Sequence, residues 1–208
     1  AYLPVLLNSR IQSANTKTDE TALYNHFIKR GVTATGSLDP NTVDGAFVAN
    51  ASHPILTYYE NQLILAESQA RLGQLPDALT SLNSVRSRLA SGVYAGKTFG
   101  TVGRKYEPYE LADFGVAGLA NANDAATTQL AMLYEIAAQK YILLLMQYEV
   151  FNEYRRLAVA SPRVELPIPL RTGTRKPARL IYPQTQINTN PNVPSTLPDQ
   201  FTPVAIYP

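Results

Sequence analysis

Cysteine and tryptophan are both absent from this 208-residue chain, and histidine occurs only twice. Without cysteine there is no disulfide, no thiol nucleophile and no cysteine-ligated zinc within this stretch. Without tryptophan, a stacking platform for sugar faces would have to come from the thirteen tyrosines and six phenylalanines. An excess of one charge is missing too. Eighteen basic against sixteen acidic residues leave +2, too small and too evenly scattered a surplus for a nucleic-acid partner. Long hydrophobic runs are also lacking: the apolar stretch at residues 141–146 is far short of the roughly 20 residues that span a bilayer. The chain opens Ala1-Tyr2-Leu3-Pro4, with neither methionine nor a charged-then-apolar leader. Either a leader removed earlier or an internal portion of a longer protein is expected.

What is present describes a globular chain, 45% hydrophobic and 16% charged, long enough for one domain with a real core. Residues 2–11 read as a helix and 19–30 as a second short one, while 31–50, rich in Thr, Gly and Asn, read as loop. The clearest stretch is ASHPILTYYENQLILAESQARLG. Ser52 can cap a helix, Pro54 suits its first turn, and Gly73 terminates it. Between them Ile55, Tyr58, Tyr59, Leu63, Ala66 and Ala70 recur at helical spacing. Leu75-Pro76-Asp77 opens a second helix, with Ala78, Leu79, Leu82, Val85 and Leu89 as its apolar stripe and Gly92 as its end. Helices joined by so few residues must fold back as an antiparallel pair. The spacing of Leu65, Ala66, Gly73, Ala78 and Leu82 resembles one tetratricopeptide unit, bulky residues filling a seam that small ones keep narrow.

Residues 93–123 form an insertion carrying the rings of Tyr94, Phe99, Tyr106, Tyr109 and Phe114, and six of the eleven glycines fall from Gly92 to Gly118. Rings on such a loop can grip a sugar or a peptide, or can pin the loop to the helices. Asn123 or Asp124 is expected to cap a long helix burying Leu130, Leu133, Ile136, Ala137, Tyr141 and Leu144, and a short amphipathic helix follows to about residue 157. From Pro162 onward come ten of the fifteen prolines, so residues 158–208 read as an extended tail lying on the helical body.

Catalytic signals are poor. His26 and His53 have no metal-ligand spacing or nucleophile motif beside them, and no metal or cofactor is expected. Glu60 and Glu67 share a helix face, where a solvated role is expected rather than an acid–base pair. Glu149 and Glu153 precede Arg155 and Arg156, a setting for ion pairs with neighbouring elements. The glycines of residues 97–105 lack both the full phosphate-loop pattern and a preceding strand.

Three blocks in order resemble the SusD/RagB-type proteins. The first is YYENQLILAESQARLGQLPDALTSLNSVRSRLASG, through Tyr59, Glu60, Ala66, Glu67, Arg71, Leu72, Gly73, Ala78, Leu79, Leu82, Asn83, Val85, Arg86 and Arg88. The second is EIAAQKYILLLMQYEVFNEYRRL, through Ile136, Gln139, Lys140, Tyr141, Ile142, Gln147, Glu149, Tyr154, Arg155 and Arg156. The third is ARLIYPQTQINTNPN, through Pro177, Arg179, Tyr182, Pro183, Asn190, Pro191 and Asn192, with Gln186 where the family usually has Glu.

The resemblance implies an all-α fold of tetratricopeptide-like helix pairs, an α-α superhelix with long loops and an extended proline-rich C-terminal tail. It implies that residues 1–208 are a single domain, the C-terminal portion of a longer protein. It divides into a helix pair (54–92), an insertion (93–123), a long and a short helix (124–157) and a tail (158–208). It further implies a surface-exposed outer-membrane lipoprotein of Bacteroidetes-type bacteria. Such a protein binds a nutrient, a glycan or peptide, and covers a SusC-like TonB-dependent transporter. It would touch the membrane only through an N-terminal lipid anchor outside this chain, and would be no enzyme. Arg155, Arg156 and Arg179 would serve as charge-pair and backbone anchors holding the tail to the helices, with Glu60, Glu67, Arg71 and Tyr182 as further structural motif positions. The alternative is a helical-repeat adaptor that binds other proteins and takes no nutrient.

Overall fold

Local chemistry sets the ends of the first helix pair. In the computed structural model, which describes residues 17, 21–24, 26–27, 54–94, 97–98, 106–121, 125–145, 147–166 and 177–202, a single turn α1 spans Thr21–Tyr24. Helix α2 spans Tyr58–Arg71. Its cap is Thr57, whose hydroxyl accepts the amide of Glu60 at 3.0 Å. The expected cap Ser52 lies outside the described residues, and Pro54 stands ahead of the helix rather than in its first turn. The C-terminal end is a Schellman turn. Gly73 takes φ 78°, its amide donates to Ala70, and Gln74 donates back to Gln69. Helix α3, Leu75–Ala90, begins at once with Pro76 near its start. Gly92, at φ 75°, ends the pair as expected.

The buried face of α2 runs through Tyr59, Leu63, Ala66 and Ala70, while Ile55, Tyr58 and Leu65 face outward. This corrects the expected stripe and the expected seam position of Leu65. Neighbouring helices α3 and α4 claim only one side of α2, and Tyr58 and Leu65 lie a step around the helix from it. On α3 the expected stripe holds, with Ala78, Leu82, Val85 and Leu89 fully buried and Leu79 packed against the core.

Helix α4, Thr128–Leu143, buries eleven of its sixteen residues and so forms the centre of the fold. Its cap is Thr127, whose hydroxyl accepts the amide of Leu130. Asn123 and Asp124 lie outside the described residues. The helix stops at Leu143, before the end of the apolar run. Helix α5 covers Glu149–Val159, two residues past the expected boundary at 157.

Two expectations of irregular chain need correcting. The insertion begins with a small antiparallel ladder, β1 (Val93–Tyr94) against β2 (Lys97–Thr98), pairing Val93 with Thr98 and Tyr94 with Lys97. It later makes a 3-10 turn at Leu111–Phe114. The tail contains a short helix α6, Gln184–Thr189. Proline forbids helix only where it stands, and residues 184–190 hold none between Pro183 and Pro191. Among the described residues the tail closes on itself, the amides of Ala178 and Arg179 both donating to the carbonyl of Gln200.

Candidate functional site

Two clusters bring the sequence-predicted residues together. The first is an ion network centred on Glu67. That carboxylate accepts Nε of Arg71 at 2.7 Å and Nζ of Lys140 at 2.6 Å. It also takes both terminal nitrogens of Arg156, at 2.9 and 2.6 Å. Glu153 accepts Lys140 at 2.8 Å and Arg156 at 3.1 and 2.7 Å. Three cations and two carboxylates thus join α2, α4 and α5, with the Lys140 side chain only 3% exposed.

Burial alone would push the Glu67 carboxyl up. The hydrogen bonds from Arg156, Lys140 and Arg71 outweigh it and hold the group at about 2. The same balance, burial against Arg156 and Lys140, lowers Glu153. Arg156 is raised by its hydrogen bond to Glu67. A carboxylate so occupied stays ionised and has no proton to give as a general acid near neutrality. Glu67 and Glu153 are therefore ties between helices. The solvated role expected for Glu60 and Glu67 is corrected, since both are buried. Among the described residues, Glu60 Oε2 has no hydrogen-bond partner.

The second cluster anchors the insertion. Asn83 on α3 pairs with the backbone of Tyr109 like one rung of a sheet, donating to its carbonyl at 2.9 Å and accepting its amide at 2.8 Å. Arg86, buried to 1% exposure, donates to the carbonyls of Glu107 at 2.9 Å and of Lys17. Its guanidinium also lies 3.7 Å from the centroid of the Tyr109 ring. Phe114 meets Tyr109 edge to face at 5.3 Å, and the Tyr109 hydroxyl donates to Glu135 at 3.2 Å. Asn121 then clips the end of the loop, accepting the amide of Ala125 and donating to the carbonyls of Gly115 and Ala125.

The proposed ligand-binding rings sit in these anchors. Tyr106, Tyr109 and Phe114 are buried in the core. Tyr94 is buried too, stacked on Tyr59 at 5.6 Å and edge-on to Phe27 at 5.1 Å, with its hydroxyl donating to the carbonyl of Leu143 at 2.5 Å. Burial raises its phenol. Phe99 lies outside the described residues. A ligand reaching the four described rings would require the insertion to open. His26 is buried beside Phe27 and Tyr94, and His53 lies outside the described residues.

Of the arginines expected to hold the tail, only Arg156 forms ion pairs among the described residues, and it ties helices rather than tail. Arg155 lies over the Phe151 ring at 5.4 Å, and Arg179 over Tyr182 at 5.5 Å. The start of the tail is held by Arg71, whose NH1 donates to the carbonyls of Ser161 and Pro162, each at 3.0 Å. Sequence reasoning missed Lys140, Asn83 and Arg86 as anchors. The available signal was a charge in the apolar run of α4, and an Asn and an Arg at helical spacing on the α3 side that meets the insertion.

Among the described residues no group of three metal-binding side chains occurs, and no helix is long and apolar enough to cross a membrane. No protein-family model matches the chain, and neither a curated protein nor a solved structure matches it.

Proposed function

We infer that this chain is part of a surface nutrient-binding protein of the SusD/RagB type, serving a TonB-dependent outer-membrane transporter and taking an oligosaccharide or a peptide. The observation that carries the reading is the meeting of two motif blocks. Glu67 and Arg71 come from the first, Lys140 and Arg156 from the second, and 89 positions separate Arg156 from Glu67 in the chain. A motif so widely spaced has a physical reason when its members satisfy one another's buried charges. Asn83 and Arg86 add to it, because these motif positions fasten the insertion. On this reading these motif charges build the scaffold, and the ligand is met elsewhere, with no catalytic residue and no cofactor. The protein sits at the outer-membrane surface through a lipid anchor outside this chain.

The alternative adaptor reading is favoured by one observation: Ile64, Leu65 and Leu72 stand exposed on the outer side of α2. A test separates the two. The intact protein, tagged and extracted from outer membranes in mild detergent, is expected to bring down a porin-sized TonB-dependent transporter. Recovery of the tagged protein alone sinks the first reading. Recovery with a soluble partner that Leu65→Glu abolishes supports the second.

A further inference from the structure

We draw no further inference here: the strongest candidate, the outward side of helix α2, where Tyr58, Ile64, Leu65 and Leu72 stand exposed, is an unpartnered apolar face, and nothing in the structure shows what covers it.

Discussion

Residues 106–121 and residues 149–166 are both appended to the same helices, yet rings and amides dominate the first attachment and a buried ion network the second. The insertion is fixed mainly by rings and amides, with Phe114 and Tyr109 in the core and Asn83 and Asn121 on backbone groups; Arg86 spread over a ring face and one ion pair, Lys17 with Asp113 at 2.8 Å, add charge to it. Residues 149–166 are fixed by the Glu153 and Arg156 charges together with three core side chains, Leu157 on the helix and Val164 and Leu166 after it. Burying a ring gains free energy wherever the ring finds apolar neighbours, and tolerates small shifts. Burying a charge costs free energy unless partners meet it within hydrogen-bond distance. The first attachment is therefore durable. The second is conditional on protonation and on each partner being present. A third region, the tail at 177–202, shows the limit of neither: it hydrogen-bonds to itself and leaves Leu180 and Ile181 exposed.

The largest expected effect that would break this contrast lies in the insertion. Phe114→Ala empties a site with no exposure and is expected to cost about 3–5 kcal/mol in a denaturant titration. A loss under 1 kcal/mol would mean that the ring anchors nothing. Acid should act mainly on the other region. Glu67, held at about 2, lies below its ordinary value, so its ionised form contributes stability in full above pH ~5. That contribution is lost as pH falls from there towards 2, amounting to roughly 2–4 kcal/mol, and Glu153 shifts in the same direction. Exchange protection at residues 149–166 should therefore decline over this range before that at 106–121 does. If the two regions lose protection together, the distinction is wrong.

A smaller effect is expected at Asn83. Asn83→Ala leaves the amide and carbonyl of Tyr109 without their partner and should cost about 1–3 kcal/mol. Its signature should be faster exchange at 106–121 alone. The smallest effect belongs to the tail, where Ile181→Ser should change the thermal midpoint by no more than about 0.5 kcal/mol allows. A large loss there would show the tail to be packed on a surface after all.

Much of the helical scaffold was legible. The α2–α3 pair could be read because its turn is local chemistry: Gly73 and Gly92 adopt positive φ, and Pro76 opens the next helix. The caps were misplaced because threonine at position 57 or 127 looks like any other polar residue until its hydroxyl is seen on an amide. Ion pairing at Glu153 was anticipated. The role of Glu67 was not, because a glutamate on an amphipathic helix reads as solvated until the cations of two distant helices arrive. The rings of the insertion posed an ambiguity that composition could not resolve, since stacking on a ligand and packing on a core need the same side chains.

By itself, the sequence determined what short-range forces determine: helix type, the tight turn at Gly73, and the absence of disulfide chemistry within this stretch. Only the tertiary structure decided which side of α2 is covered, that Tyr94, Tyr106, Tyr109 and Phe114 point inward, and that three cations converge on one carboxylate. The physical reason is reach. Caps and turns are settled among residues a few positions apart, whereas the partners of Glu67 lie 4, 73 and 89 positions away. Whether a buried charge is a tie or a liability depends on whether those distant partners are brought to it.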